Sequence, residues 1–234
     1  MPSATHTRRP SRSARQTSRR RKLRLLITAG PTREYIDSVR YISNDSSGQM
    51  GFALAAAAAR RGHVVTLVHG PVAFPSPPGL RSIPVISAAD MFRACKSAWP
   101  RQDGLIMAAA VADYTPRAPS HIKLKKSVRA MTLRLTPTAD ILAALSRNRR
   151  PRQIVIGFAL EDRHERRNAE SKLQRKNLDA IVLNRPAAIA AARAAQEILV
   201  RGKPWRVFAS AKKQTLAIRL IRLFEQLCRG ADSV

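Results

Sequence analysis

Acidic and aromatic residues are both scarce in this chain. Its 234 residues carry 15 Asp or Glu against 43 Lys or Arg, and only 5% are Phe, Trp or Tyr. So few aromatics, none of them in the most basic stretch, argue against a surface built to stack on single-stranded nucleic acid. There are two cysteines, Cys95 and Cys228, far apart and without a CxxC or His neighbour. That excludes a disulfide framework, suits a reducing compartment, and marks both as buried structural thiols. The five His residues show no metal-ligand spacing. No apolar run approaches the ~20 residues needed to span a bilayer, so a soluble chain is expected. No internal repeat is visible. Gly-x-Gly-x-x-Gly is also missing, which argues against a dinucleotide held in the usual tight turn.

What is present is charge and enough apolar residue for a core. The formal net charge is +28, and 44% of residues are hydrophobic. Residues 1–22 contain eight Arg or Lys, seven Ser or Thr and no acid. That composition predicts a disordered basic tail. An organelle presequence, a nonspecific RNA-binding arm, the remnant of a linker and a plain solvated tail all fit it. The other 212 residues keep a charge of +20, from 35 basic and 15 acidic residues. Such a field attracts phosphorylated ligands and nucleic acid, and it also fits a surface that has drifted basic.

Apolar runs alternate with helical patterns. Strands are predicted at residues 23–28, 63–68, 83–86, 104–109, 153–158 and 178–183. Helices are predicted at 49–61, 89–99, 139–147, 165–176 and 214–227. Short strands between helices imply a Rossmann-like α/β fold of three layers, with a mostly parallel sheet covered on both faces. A ligand crevice is expected at the C-terminal strand ends, where strand order reverses. Two segments break the alternation. Residues 115–138 read as a flap with an extended arm inserted after the fourth strand. Residues 198–208 read as a C-terminal hairpin turning at Gly202-Lys203-Pro204.

The first strand leads into Gly30-Pro31-Thr32 and a polar loop that ends at Ser46-Ser47-Gly48, directly before the first helix. Small residues at a helix N-terminus form an anion site, because free N–H groups and the helix dipole point the same way. Residues 108–114, Ala-Ala-Ala-Val-Ala-Asp-Tyr, follow the fourth strand and carry small side chains that let a ligand approach the backbone. Lys123, Lys125 and Lys126 cluster in the flap. Lys172 and Lys176 lie four apart on one helix face; as a bare pattern, such a pair also fits a solvated stripe. Arg40 can pair with a phosphate or with Asp37.

These motifs, in this order over residues 23–228, resemble the phosphopantothenoylcysteine synthetase family, a nucleotide-activated ligase of coenzyme A synthesis. In bacteria that ligase is often the C-terminal half of a two-enzyme fusion. The resemblance implies that residues 23–234 form a nucleotide-binding ligase domain. It would join 4'-phosphopantothenate to L-cysteine through an acyl-cytidylate, using CTP and Mg2+. It implies catalytic roles for Lys123, in forming the acyl-cytidylate, and for Asn44, in the second half-reaction. It implies ligand contacts from Gly30, Arg40, Ser46, Ser47, Gly48, Ala108, Ala109, Ala110, Asp113, Asp140, Ile141, Leu142, Phe158, Lys172 and Lys176. Metal ligands are not assigned. A cytoplasmic homodimer is implied, with the flap near its interface and a decarboxylase as a separate partner, since 22 residues before the first strand cannot hold one.

The chain departs from the family pattern at Gln49, where a Lys is common, at Ala139 and at Arg185. Two readings from other classes compete: a basic nucleic-acid-binding protein on an α/β scaffold, and a Rossmann-type oxidoreductase. The latter needs an acid after the second strand, where Val68-His69-Gly70 stands.

Overall fold

The computed structural model describes residues 21–128, 130–188 and 193–232. The basic tail expected at residues 1–22 therefore lies outside the described residues, apart from its last two. In chain order the elements are β1 (Arg24–Ala29), β2 (Arg33–Tyr35), β3 (Tyr41–Ser43), α1 (Gln49–Arg60), β4 (Val64–His69), β5 (Arg81–Pro84) and α2 (Ala88–Ala98). Next come β6 (Gly104–Met107), β7 (Tyr114–Pro116), β8 (Leu135–Pro137), α3 (Ile141–Arg147), β9 (Ile154–Leu160) and α4 (Glu165–Arg175). The last are β10 (Ala180–Asn184), β11 (Arg193–Val200), β12 (Arg206–Lys212) and α5 (Lys213–Asp232).

Eight strands form one sheet in the order β12-β11-β10-β9-β6-β1-β4-β5. β5, β4, β1, β6, β9 and β10 run parallel, while β11 and β12 are antiparallel. The chain steps outward from β1 to β5, returns to β6, and then steps the other way. Strand order therefore reverses between β1 and β6. Period-two alternation sends the side chains of β1 into two cores. Leu25 and Ile27 pack with α1 and α5 residues such as Leu54, Leu220 and Phe224. Leu26 packs with Met91 of α2, Leu145 of α3 and Leu173 of α4. The result is the expected helix–sheet–helix sandwich.

The third strand sits at 81–84 rather than 83–86. The chain leaves the sheet after Pro84, with one more bond from the Val85 N–H to the His69 carbonyl. The flap springs from the small antiparallel pair β7–β8. Within residues 128–135 of the expected flap only Leu135 is in a strand, and residue 129 is outside the described set. The β2–β3 hairpin has no counterpart among the predicted strands. Three-residue strands are too short to show a period.

A buried ionic triad ties α1 to α5. Arg61 grips Glu225 with two bonds, Nε to Oε1 at 2.7 Å and Nη2 to Oε2 at 2.6 Å. His63 Nδ1 accepts from the Leu23 N–H, so its Nε2 carries the proton and donates to Glu225 at 2.9 Å. Burial opposes ionisation of Glu225, but Arg61 and His63 outweigh it and hold the carboxyl at about 2 rather than 4.5. A depressed carboxyl contributes stability above its unfolded value and loses it as pH falls through the folded one. The gap corresponds to roughly 3 kcal/mol. Glu225→Gln is therefore expected to destabilise the fold by about that much at neutral pH. It should also remove the fall in stability between pH 4.5 and 2. Urea unfolding of both proteins across that range checks this, and identical pH slopes would refute it.

Candidate functional site

The loops after β1, β4 and β6 meet where strand order reverses. Gly30 and Gly48 both have left-handed backbones, φ 73° and 74°. A Cβ on Gly48 would stand 3.0 Å from the Gly30 Cα, and one on Gly51 would stand 2.4 Å from the Ala29 Cβ. The start of α1 thus rests on the end of β1, an approach that only glycine permits. Beyond the sheet, β1 and β6 stay paired through a Pro31–Ala110 bridge. The Ala110 N–H donates to the Gly30 carbonyl at 2.9 Å, and the Ala112 N–H to Thr32 Oγ1 at 2.9 Å. No side chain caps α1. Ser46 Oγ instead accepts from the Gly48 N–H at 3.4 Å.

Beside this junction, on the α3–α4 side, lies a cavity of about 310 Å3. Its lining includes Ala109, Val111, Asp113, Asp140, Ile141, Leu142, Phe158, Lys172 and Lys176. Eight of the residues singled out in the sequence are thereby brought together. Asp140 accepts both from the Ala143 N–H, capping α3 at 3.0 Å, and from Lys176 Nζ at 2.9–3.0 Å. Burial opposes its charge, but Ala143, Lys176 and Lys172 keep its carboxyl below the ordinary value. Lys172 donates to the Phe158 carbonyl at 2.8 Å. Burial and then Lys176 lower its pKa, against the pull of Glu161, Asp140 and Asp113. The pair is therefore a structured basic wall of the cavity rather than a solvated stripe.

Neither of the two residues given catalytic roles is in the cavity lining. Asn44 Nδ2 donates to the carbonyl of Val111 at 3.0 Å, which ties the loop after β3 to the cavity rim. Lys123 is exposed. Its neighbour Leu124 is held from both sides: the Leu124 N–H donates to Asp37 Oδ2 at 3.1 Å, and its carbonyl accepts from Arg40 Nη2 at 3.0 Å. Arg40 also bonds Asp37 through Nε at 3.0 Å and through Nη2. Of the two expectations for Arg40, the structure realises the ion pair with Asp37. Arg40, against the opposing effect of burial, keeps the Asp37 carboxyl far below the ordinary range, aided by the N–H groups of Val39, Arg40 and Leu124. Sequence reasoning named Asp37 only as a possible partner of Arg40, not as the residue that organises both the turn and the flap. Its signal, an acid two and three residues before the backbone N–H groups it captures, is that of any turn.

A second cavity, of about 700 Å3, lies under the β2–β3 hairpin against the start of α2, with Glu34, Phe92 and Pro119 in its lining. The hairpin and flap also expose Tyr35, Val39, Tyr41, Tyr114, Ile122, Met131 and Leu135. At the end of β4, where a dinucleotide would meet an acid, His69 bonds Ser82 Oγ and the Gly70 carbonyl. Among the described residues, no cluster of three or more His, Cys, Asp or Glu could hold a metal ion, and no helix is long and apolar enough to cross a membrane.

Residues 20–227 match the family model described as the DNA/pantothenate metabolism flavoprotein C-terminal domain. A cysteine/cysteine sulfinic acid decarboxylase from an unknown prokaryotic organism is 52% identical over 162 residues, 69% of this chain and 45% of that protein. The coenzyme A biosynthesis bifunctional protein CoaBC of Escherichia coli K12 is 46% identical over 165 residues, 69% of this chain and 41% of that protein. The chain thus spans less than half the length of these relatives. The solved C-terminal domain of a CoaBC protein is 33% identical, covers 89% of this chain and 96% of its own, and superposes with a TM-score of 0.77.

Proposed function

The chain belongs to the DNA/pantothenate metabolism flavoprotein C-terminal domain family, and from that premise we propose that residues 23–234 are a phosphopantothenate–cysteine ligase acting in the cytoplasm. The observation that carries this is the cavity with Asp113, Asp140, Lys172 and Lys176 opening beside the uncapped α1 loop. A nucleotide laid across the strand ends would meet the cavity with its base and ribose and the α1 loop with its phosphates.

A carboxylate is a poor acyl donor, so it is activated first. One carboxylate oxygen of 4'-phosphopantothenate attacks the α-phosphorus of CTP. The bond to the β-phosphate oxygen breaks, and pyrophosphate leaves with the electron pair. The amine of L-cysteine then attacks the acyl carbon, CMP leaves, and the nitrogen gives up a proton. The first step needs in-line positioning and neutralisation of oxygen charge. Lys123 would supply a cation for it, while Lys172 and Lys176 hold the nucleotide in the cavity. Mg2+ would neutralise phosphate charge, with phosphate oxygens as its main ligands and Asp113 as the carboxylate at hand, since Asp140 is engaged by Lys176.

Apolar residues exposed on the hairpin and flap, Tyr41, Ile122 and Met131 among them, suit a homodimer interface. The decarboxylase step would come from a separate protein or domain. The basic charge would add nucleic-acid affinity only as a secondary property.

The test supplies the full chain with 4'-phosphopantothenate, L-cysteine, Mg2+ and either CTP or ATP. Pyrophosphate release with CTP and an amide product of the expected mass support the reading. No amide product with either nucleotide overturns it, and a preference for ATP overturns the choice of CTP. Sedimentation of the same sample decides the dimer.

A further inference from the structure

The parallel strands all start at one edge of the sheet, and cations gather there. The turn between β11 and β12 lies on the same edge, since Ala180, the first residue of β10, pairs with Val200. The loops of this edge are residues 21–24, 60–63, 99–103, 147–153, 175–179 and 201–205. They contain fourteen Arg or Lys, eleven of them Arg, against two acids. Both acids are engaged. Asp103 accepts from Arg21 at 3.4 Å and from the Arg24 N–H at 2.7 Å, and Asp179 accepts from Arg149 and from the Val155 N–H at 2.7 Å. Among the described residues, Arg60, Arg101, Arg147, Arg152, Arg175 and Lys203 are exposed and make no ion pair. Residues 1–20, with six further arginines and no acid, join the chain at this edge through Arg21.

The loops that carry these cations are tied to one another. Arg24 Nε donates to the Arg101 carbonyl at 2.8 Å, Gln153 Nε2 to the carbonyls of Trp99 and Gln102 at 3.1 and 2.7 Å, and Arg201 Nε to the Leu178 carbonyl at 2.9 Å. A backbone fixed in advance lowers the cost of binding a partner. Arg60, Arg147 and Arg175 end α1, α3 and α4, where a cation stabilises the negative end of the helix dipole. That accounts for one charge per helix and not for Arg152 or Lys203. The cations follow strand order. Arg60 precedes β4, Arg101 precedes β6, Arg147 and Arg152 precede β9, Arg175 precedes β10, and Lys203 turns β11 into β12. At ~4.8 Å between strands the row is about 25 Å long. Among the described residues, no large exposed hydrophobic lies in these loops, and Trp205 is held by Glu170 and Arg166. The edge therefore offers no apolar anchor for a membrane and no free ring for an unpaired base. It offers guanidinium groups, which bind phosphate oxygens in pairs.

We propose that this edge binds the phosphate backbone of double-stranded nucleic acid without reading its sequence. A duplex carries one charge per ~1.7 Å of axis, so a row of this length faces about seven base pairs. Neutralising their phosphates releases condensed counterions, which drives binding with no base contact. The cavity with Asp113 and Phe158 lies beyond the other ends of the strands, so a duplex and a nucleotide would not compete for one site. The proposal does not depend on the ligase reading.

The probes are a mixed-sequence duplex of ~20 base pairs, made as RNA and as DNA, one of its single strands, and vesicles of anionic phospholipid. Binding to the full chain is followed by fluorescence anisotropy, or by sedimentation for the vesicles, from ~50 to ~200 mM salt. The edge variant Arg147→Gln/Arg152→Gln/Arg175→Gln/Lys203→Gln is compared with Arg117→Gln/Arg134→Gln/Arg163→Gln/Arg167→Gln. The second removes the same charge from exposed residues near the other ends of the strands. Melting curves first show both to be folded. The edge variant should bind duplex at least about tenfold more weakly at ~100 mM salt, with a slope of log affinity against log salt flatter by about 3–4. The second variant should stay within about threefold of the unaltered chain, because charges beyond a Debye length are screened. That outcome with either duplex supports the proposal, and the RNA and DNA arms identify the preferred source of the backbone. Equal weakening in the two variants assigns the affinity to total charge or to residues 1–20 and overturns it. So does unchanged affinity in the edge variant. Tighter binding to the single strand or to vesicles than to either duplex overturns the choice of partner.

Discussion

Replacing Lys123 by Gln is expected to lower nucleotide-dependent pyrophosphate release by about 10^2–10^3-fold, with the melting temperature unchanged. The side chain is exposed, so its removal leaves no cavity and no unpaired buried group. The backbone beside it is held independently, since Asp37 and Arg40 bind the N–H and carbonyl of Leu124. The mutation therefore removes the ammonium and leaves the arm in place. Loss of a preorganised contact to charge developing in a transition state costs about 3–4 kcal/mol, which sets the expected range. Asp37→Asn is the complementary case. It keeps Lys123 but weakens the clamp, so it should raise the KM for nucleotide more than it lowers kcat. Turnover by Lys123→Gln within threefold of the unaltered chain would remove Lys123 from the chemistry.

Asn44→Asp is expected to separate the two half-reactions. Pyrophosphate should appear to about one equivalent per site, an acyl-nucleotide should be trapped and visible by mass spectrometry, and little amide should form. The substitution preserves size but replaces an amide donor by an anion. In the structure that donor bonds the Val111 carbonyl at the cavity rim, so Asp would also set oxygen against oxygen and loosen the loop before Ser46 and Ser47. Lys123 and the cavity lysines remain, and carboxylate attack should continue. What is lost is a donor to the acyl and phosphoryl oxygens while the cysteine amine attacks. Normal amide turnover would make Asn44 a loop anchor and nothing more. Absence of any pyrophosphate would move its role to nucleotide binding or activation.

The parallel strands and their helices were readable because each is long enough to show its period. The runs 23–28, 63–68 and 104–109 lie within two residues of β1, β4 and β6. The β2–β3 hairpin was not, since three residues per strand carry no period and its register depends on Asp37 closing the turn. The cavity residues were found because their motifs are local and ordered along the chain. Arg40 stayed ambiguous because its partner is decided in space: Asp37 is close in sequence, but the Leu124 carbonyl is 84 residues away.

By itself, then, the sequence determined the layered α/β class, a cavity beyond the strand ends, and the residue types gathered there. Periodicity and small-residue loops are local properties that any fold built from them must respect. Only the tertiary structure decided which charges share a site. It seated Lys176 on Asp140, Arg40 on Asp37, and Lys213 on Gln49 across 164 residues of chain. Pairing of charges depends on distance in space and on burial. Those are set by how the sheet order doubles back between β1 and β6 and by where α5 lands against α1.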